Sequence, residues 1–444
     1  MGSNGLIHSK KQSIFYSILV ITFIKIIIIF NIDPISYYYK AGAWIGSDTD
    51  GYLQGANAIK SEGFFTESGF LSYYAPGYPV FLYLIQKVFG TYLILVVSIL
   101  QTLFYSFSIY FLTKQLLNSG FRLVATPFTF IALLNPTLSL STMQLGYEGL
   151  VASICAIVLG LCIKNMLNLD KKLNGFEVLT AATLMGVSIW LAPRMILAAV
   201  LLVIFWTLVI KSKSRFLLGF VAILIIVSFQ SSMVMRNYIA NGEFSSQTSL
   251  GNLALMGAGP LATGTYMNSP SGVYCETTSK EVSEQSNKRL SCAINWYIEN
   301  PLIGAKLLWK KSYYLWSPWY GPLTGGTSAA NPYYKWFHPI KSNITTQSQL
   351  DFVTGLPGKI VSWFWIVGGW ILLIMGFRYL FSNGGISRKI GVTAAVLILS
   401  NWITALITIG DNRYRIPLMT ISLLVQVIGW KSLVNKSQVR GSTK

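Results

Sequence analysis

The chain has 444 residues, of which 53% are hydrophobic and only 11% are charged, and its mean hydropathy is +0.53. Soluble domains carry about 25% charged residues, so this composition excludes a soluble enzyme and indicates an integral membrane protein. The formal net charge of +19 is explained by membrane orientation, as argued below, so we expect no nucleic-acid partner.

Apolar runs of about 17 to 25 residues, the length that crosses a bilayer as a helix, recur along the whole chain. The first run, 14–30, is followed by no small-residue cleavage site and is expected to be a signal anchor. The segment 77–90 is too short to span the bilayer, so we expect an interfacial or re-entrant helix there. The pattern predicts an all-α integral membrane protein with about ten transmembrane helices. The predicted spans are 13–31, 91–113, 123–140, 148–163, 177–193, 195–210, 216–234, 358–377, 390–409 and 416–430.

The distribution of charge predicts the orientation. With an even number of spans both termini share one side, which collects 17 basic and two acidic residues, a net charge of +15, against +3 on the other side. Basic residues in short loops mark the cytoplasmic side. We therefore predict a multi-pass protein of a bacterial-type inner or plasma membrane. Its units would be an N-terminal transmembrane module (1–234) with a first outer catalytic loop (32–90), an extracytoplasmic loop subdomain (235–357), and C-terminal transmembrane helices with a basic tail (358–444).

The first outer loop contains an acidic pair, Asp48 and Asp50, in the run Asp48-Thr-Asp-Gly-Tyr52. One carboxylate can act as a general base, and a pair can hold a divalent cation such as Mg²⁺ or Mn²⁺. A solvated turn is the structural alternative, since Asp and Gly are frequent turn formers. Glu148, at the outer end of the fourth predicted span, places a third acid on the same face and favours catalysis, although a helix N-terminus also attracts a carboxylate.

Four arginines are expected at the same outer face, against the positive-inside trend. Arg413 and Arg415 enter the last span, Arg194 begins the sixth, and Arg236 ends the seventh. A single arginine would most simply snorkel to lipid headgroups. Four beside three acids favour a phosphate site at a helix N-terminus. Because nucleotide sugars are held in the cytoplasm, a phosphorylated donor on the outer face would have to be anchored in lipid.

The outer segment 235–357 leaves two alternatives open. Cys275 and Cys292 lie in an oxidising compartment and can either pair or stay free, whereas Cys155 and Cys162 within one span are expected to be buried thiols. The aromatic residues of this segment suit the headgroup level but could also stack on sugar. They are Trp309, Tyr313, Tyr314, Trp316, Trp319 and Tyr320.

The ordered set of motifs resembles the GT-C superfamily of polyprenyl-phosphate-sugar glycosyltransferases, which includes the protein mannosyltransferases and the lipid A aminoarabinose transferase. The matching pieces run from about residue 15 to 430: Asp48-Thr-Asp-Gly-Tyr52; Pro76-Gly-Tyr-Pro-Val-Phe-Leu with Phe89-Gly90; Asn135-Pro136 with Glu148; Arg194; Arg236-Asn-Tyr238 with Gly242 and Gly251; and Arg413-Tyr-Arg-Ile-Pro417. Two features differ from the family pattern: the aminoarabinose enzyme has a lysine where this chain has Gly149, and no sizeable soluble C-terminal domain is evident.

The resemblance implies a GT-C architecture with juxtamembrane helices in the first outer loop. It implies that Asp48 is the catalytic base, that Glu148 is the second acid, and that an arginine of the last motif contacts the donor phosphate. A hexosyl or pentosyl group would pass, with inversion, from a polyprenyl-phosphate sugar to a glycolipid, polysaccharide or protein acceptor. Tyr52, Tyr74 and Tyr78, in the same motifs, are predicted to bind substrate.

Two other classes of function remain as alternatives. A transporter or flippase of a lipid-linked saccharide would place charges inside its spans, where Lys25 is the clearest case. A polysaccharide polymerase or ligase would carry its key residues mainly in one large outer loop.

Overall fold

A computed structural model describes residues 3–31, 47–167, 175–209, 215–247, 249–267, 270–276, 282–317 and 356–441. Within these ranges every regular element is a helix, and the remaining residues form turns and loops. The α-helices are α1 Ser3–Asn31, α2 Ser47–Glu62, α3 Gly69–Tyr73, α4 Gly77–Phe89, α5 Leu93–Asn118, α6 Arg122–Leu134, α7 Pro136–Met143, α8 Glu148–Leu167, α9 Gly175–Leu191, α10 Ile196–Val209, α11 Arg215–Asn241, α12 Ser249–Met256, α13 Val282–Glu299, α14 Pro301–Trp316, α15 Leu356–Ser382, α16 Gly385–Ile407 and α17 Asn412–Gly441. Short 3₁₀ turns lie at Gly90–Tyr92 and Pro193–Met195.

Among these residues seven helices are long and apolar enough to cross a membrane, or eight if the bent pair α6–α7 is one span. This confirms the prediction of a multi-pass, all-helical membrane protein. Two shorter apolar helices, Gly175–Leu191 and Pro193–Val209, lie where the fifth and sixth spans were predicted. The count of ten spans stays a prediction.

The third predicted span, 123–140, is two helices that meet at an angle of 55°. The break falls at Asn135 and Pro136. The Asn135 side chain accepts a hydrogen bond from the backbone N–H of Leu138 at 3.0 Å, and Pro136 is the first residue of α7. An Asn cap followed by Pro is a strong signal for a helix start, which explains why the apolar run does not continue straight.

The helices α8 and α17 form the centre of the bundle. In each, 72% of the most apolar window is buried, more than in the other spanning helices. They pack against each other, while α5 covers α8 and α15 covers α17. Both begin at the same end of the bundle, because Glu148 at the start of α8 contacts Arg413 at the start of α17. The two best-fixed helices therefore present their first turns together.

The segment predicted to be the first outer loop contains three helices before α5, namely α2, α3 and α4. The short helix predicted at 77–90 is present as α4, with Tyr78 and Leu82 buried, and a 3₁₀ turn joins it directly to the spanning helix α5. Helix α2 packs along α4. Residues 32–46 of this loop lie outside the described residues.

The outer segment after α11 contains its own small apolar clusters, one around Ala254 and Ala293 and another around Met267 and Leu307. Cys275 and Cys292 form a disulfide, which settles the alternative left open by the sequence. The preceding helix α11 continues to Asn241, so the predicted module boundary at 234 falls inside it. The predicted buried thiols, Cys155 and Cys162, are free and buried.

The aromatic side chains of α14 pack on the spanning helices. The Trp309 ring stacks on Trp363 of α15 at 6.5 Å, and the Trp316 ring lies edge-on to Trp402 of α16 at 5.3 Å. Trp316 is buried by this packing, whereas Trp309 remains exposed, so the choice between headgroup anchoring and sugar stacking stays open for Trp309. Trp319 and Tyr320 lie outside the described residues.

Candidate active site

Three helix N-termini converge at one end of the bundle. Asp48 lies in the first turn of α2, Glu148 is the first residue of α8, and Arg413 is the second residue of α17. The Thr49 hydroxyl donates to the Leu145 carbonyl at 3.2 Å, which ties the start of α2 to the turn before α8. Helix N-termini carry partial positive charge and favour carboxylates. The local sequence therefore explains why both acids sit at these positions.

The Arg413 side chain bridges the two acids. Its Nη1 donates to Asp48 Oδ2 and its Nε donates to Glu148 Oε1, and both contacts are ion pairs. Its Nη2 donates to the Tyr52 hydroxyl at 3.3 Å. Asp48 Oδ1 accepts a further hydrogen bond from the Tyr74 hydroxyl at 3.0 Å. Two of the three predicted acids and one predicted arginine thus form a single cluster.

The two acids differ in accessibility. The Asp48 side chain is 30% exposed, whereas the Glu148 side chain is only 2% exposed. Burial by itself raises the pKa of the Asp48 carboxyl, but the Arg413 charge and the hydrogen bonds from Arg413 and Tyr74 outweigh it, so the pKa is lower than usual. Asp48 is therefore an accessible, ionised carboxylate at neutral pH. Glu148 is placed to hold Arg413 rather than to meet a ligand.

Asp50, the second acid of the predicted pair, is exposed and makes no ion pair within the described part of the chain. Positions two apart on a helix point about 200° apart, so Asp50 faces away when Asp48 faces Arg413. Asp411, for which no role was predicted from the sequence, lies nearby. Its Oδ1 accepts from the backbone N–H of Arg413 at 2.9 Å and so caps the start of α17. Burial raises the pKa of Asp411, although the Arg413 N–H and charge oppose the change.

The glycines of both acidic motifs make room for this cluster. A Cβ atom on Gly51 would lie 2.4 Å from Cε2 of Tyr74, and one on Gly146 would lie 2.6 Å from Oε2 of Glu148. Atoms cannot approach so closely, so a larger residue at Gly51 would displace the ring that hydrogen-bonds Asp48. This is the physical reason for glycine after the acidic pair.

Arg194 is the second predicted arginine at the site. Its guanidinium carbon lies 4.1 Å from the centre of the Tyr414 ring and 5.6 Å from that of Tyr147. Its charge also acts on Asp48 and Asp411. Its Nε and Nη2 atoms are buried and have no hydrogen-bond partner among the described residues. Buried donors are normally paired, so this guanidinium is the group best prepared to receive an anion.

The other two predicted phosphate-binding arginines lie elsewhere. Arg236 is fully buried and donates to the Phe64 and Thr66 carbonyls, to Ser72 Oγ and to Asn237 Oδ1. It holds the chain between α2 and α3 onto α11, a positional role that the sequence did not reveal.

Arg415 points away from the acids, towards α14. Its Nη1 donates to the Trp316 carbonyl at 3.0 Å, and its guanidinium carbon lies 5.3 Å from the Trp316 ring centre. The structure therefore separates the paired arginines of the last motif into two different environments.

The three tyrosines predicted to bind substrate also lie in different environments. Tyr52 is buried at the centre, with its ring edge-on to Tyr74 at 5.0 Å, Tyr78 at 5.1 Å and Tyr147 at 5.9 Å. Tyr78 is fully buried, and its hydroxyl accepts from the backbone N–H of Gly146 at 2.8 Å, so it positions the turn before Glu148. Tyr74 is half-buried beside Asp48 and remains the best placed of the three to touch substrate.

The possible divalent cation finds little support in these side chains. Within the described residues no group of three or more His, Cys, Asp or Glu side chains could hold a metal ion. Arg413 already supplies the positive charge between Asp48 and Glu148. The residues present do not fit a bridging Mg²⁺ or Mn²⁺ in this arrangement.

No protein-family model matches the chain, and no curated protein matches it in sequence. The crystal structure of the apo form of the Archaeoglobus fulgidus oligosaccharyltransferase has a similar fold, with a TM-score of 0.50, 10% identity, and a match over 96% of this chain and 52% of that chain. The oligosaccharyltransferase AglB of the same organism, in complex with an inhibitory peptide and a dolichol-phosphate, matches with a TM-score of 0.44, 11% identity, and coverage of 96% and 51%. The chain thus spans about half the length of these solved chains. The likeness to the apo structure supports the GT-C membrane fold expected from the sequence motifs.

Proposed function

We propose that the chain is a membrane glycosyltransferase that moves a sugar from a lipid-phosphate donor to an acceptor at the extracytoplasmic face. The observation that carries the proposal is the contact of Arg413 with Asp48 and Glu148, beside the unpartnered guanidinium of Arg194. An ionised, accessible carboxylate and an unsatisfied cation are the two groups that transfer from a phosphate-linked donor requires. The fold likeness to an oligosaccharyltransferase favours the same class of reaction.

In the proposed reaction Asp48 is the general base. Its carboxylate takes the proton of an acceptor hydroxyl or amine as that atom attacks the anomeric carbon of the donor sugar. A new bond forms at the anomeric carbon while its bond to the phosphate oxygen breaks, and the electron pair leaves with the lipid phosphate. Direct displacement inverts the anomeric centre. The low pKa of Asp48 keeps the base ionised at neutral pH.

The leaving phosphate would be received by Arg194. Its two unpartnered donor atoms can form charge-assisted hydrogen bonds, each contributing about 1.5 to 3 kcal/mol. Arg413 is 28% exposed. Three of its five N–H groups bond Asp48, Glu148 and Tyr52, so the second N–H of Nη1 and that of Nη2 can also face the phosphate. In this assignment Arg236 and Arg415 do not contact the donor.

The finer features rest on the sequence resemblance and remain part of the proposal. They are a polyprenyl-phosphate donor carrying a hexose or pentose, and an acceptor that is a glycolipid, glycan or protein. Tyr74 would contact the substrate next to Asp48, since its hydroxyl is 3.0 Å from the Asp48 carboxylate.

The test is mass spectrometry of cell-envelope glycans, glycolipids and glycoproteins from cells with and without the chain, complemented with wild type, Asp48→Asn or Asp50→Asn. One glycan should lose a defined sugar without the chain and regain it with wild type. Asp48→Asn should transfer at least ~100-fold less, the scale for loss of a general base. Asp50 is exposed, so Asp50→Asn is the matched control and should lower transfer less than Asp48→Asn does. Normal transfer by Asp48→Asn would exclude this mechanism.

A second measurement distinguishes a glycosyltransferase from a flippase. A flippase would alter the side of the membrane on which the lipid-linked saccharide accumulates, with no new covalent product formed by the purified protein. Purified protein in vesicles, supplied with lipid extract and acceptor, should instead yield the sugar-modified acceptor. Lys25, the intramembrane charge, is fully buried against the Tyr105 ring and plays no part in the proposed reaction.

A further inference from the structure

A cavity lies on the side of α17 opposite the acids, between α14, α16 and α17. Its volume is about 220 Å³, which includes space open to solvent. Seven of its eight lining residues are buried, Trp402 being partly exposed. The lining residues are Leu315, Trp316, Ile398, Asn401, Trp402, Arg415, Leu418 and Ser422. None of them is acidic.

Arg415 brings an uncompensated charge into this cavity. It is 7% exposed, and it makes no ion pair within the described part of the chain. Its hydrogen bond to the Trp316 carbonyl uses one donor, while its Nε is buried with no partner. The Trp316 ring face provides a weak cation–π contact. A buried cation normally has a counter-ion, and here the protein provides none in these residues.

The polar groups of the cavity favour an anion over water. Trp316 Nε1, a donor that cannot accept, is also buried without a partner. Two unpartnered donors, one of them charged, therefore belong to residues of the same small cavity. Water could satisfy one donor but would leave the charge uncompensated.

The size of the cavity limits the anion. The free space corresponds to about one water molecule. A monatomic anion therefore fits better than the phosphate of a headgroup.

We propose that Arg415 forms a buried chloride site that holds the first turn of α17. Arg413, two residues earlier, belongs to the same turn. Chloride would neutralise Arg415 and accept hydrogen bonds from its Nε and from Trp316 Nε1. The site is separate from the proposed donor site, so the inference does not depend on the proposed function.

The experiment measures thermal unfolding of the purified full chain while chloride replaces gluconate at constant ionic strength. A ligand that binds only the folded state raises the melting temperature. For a chain of this size we expect about 1 to 2 °C for each tenfold rise in chloride above its dissociation constant. Arg415→Gln should abolish the rise. Arg388→Gln, which removes an exposed arginine from α16, is the control and should keep it.

A second measurement needs no variant and covers the case in which Arg415→Gln does not fold. Crystals of the wild type grown with bromide should show an anomalous peak beside the Arg415 guanidinium. No peak there, or an equal chloride effect in wild type and Arg415→Gln, would overturn the proposal. So would native mass spectrometry showing a phospholipid that wild type retains and Arg415→Gln loses, because the occupant would then be a headgroup phosphate.

Discussion

Replacing Arg413 with glutamine should destabilise the protein mainly through Glu148. The substitution removes the cation between the two acids and leaves Glu148, 2% exposed, with its charge unpaired. Removing one partner of a buried ion pair costs about 3 to 5 kcal/mol. The Asp48 side chain is 30% exposed, so water screens its ion pair with Arg413. Losing that ion pair should add only about 0 to 1 kcal/mol to the cost. We therefore expect the free energy of unfolding to fall by about 3 to 5 kcal/mol at pH 7.

The effect should depend on pH in a defined direction. In the wild type the folded-state pKa of Asp48 is lower than its usual value, which is about 3.9. The resulting stabilisation is present above that pH and is lost as the pH falls through the lower folded value. In Arg413→Gln the Arg413 charge and hydrogen bond are lost, so burial, which raises the pKa of Asp48, is opposed only by the Tyr74 hydrogen bond and the Arg194 charge. The pKa of Asp48 should therefore be higher than in the wild type. The Asp48 part of the stability difference should shrink below about pH 4, and the acidic limb of the transfer rate should move to higher pH.

The assay is denaturant unfolding in detergent, followed by tryptophan fluorescence at pH 7 and at pH 4. The double variant Arg413→Gln/Glu148→Gln should recover much of the loss, because no buried charge is then left unpaired. Arg378→Gln, an exposed arginine on α15, is the control for losing one positive charge. If Arg413→Gln loses no more stability than Arg378→Gln, or the double variant recovers nothing, the bridge does not stabilise the fold as argued.

Three further predictions concern the site and its orientation. Arg194→Gln should cost about 0.5 to 2 kcal/mol of stability, because the guanidinium loses its contacts with the Tyr414 and Tyr147 rings but no hydrogen bond of Nε or Nη2 within the described residues. It should also raise the half-saturating donor concentration by about 10- to 100-fold; unchanged donor dependence would contradict the phosphate role. Gly51→Ala should push the Tyr74 ring away, since the new Cβ would lie 2.4 Å from it, and should lower transfer at least ~10-fold. Gly69→Ala is the control: a Cβ there would meet open space, so transfer should not fall. A cysteine at Ser47 should react with a membrane-impermeant thiol reagent from outside, because the charge distribution predicts that this loop is extracytoplasmic. The native cysteines are buried or disulfide-bonded and should give no background labelling. Reaction only after permeabilisation would invert the predicted orientation.

The amino-acid sequence determined the class of protein and the local structure. Apolar length alone predicted a multi-pass helical protein, since a helix must cover the hydrocarbon thickness with its own hydrogen bonds satisfied. The sequence also placed Glu148 at a helix start, where a carboxylate is favoured, whereas it favoured a loop or turn at Asp48, which lies in the first turn of α2. The bend at Asn135-Pro136 was equally local, but the apolar run through it concealed the break. The sequence left the Cys275–Cys292 pairing open because proximity depends on the surrounding fold.

Only the tertiary structure decided where each arginine lies and which groups it contacts. Arg413 lies 365 positions from Asp48 and 265 from Glu148 in the chain, and contacts over such separations are set by how α2, α8 and α17 pack. Helical geometry turns Arg415 about 200° away from Arg413, so the two cannot serve one site even though the motif places them together. The packing that buries Arg236 and leaves Arg194 unpartnered likewise has no local signal, because a side chain's hydrogen-bond partners come from segments distant in sequence.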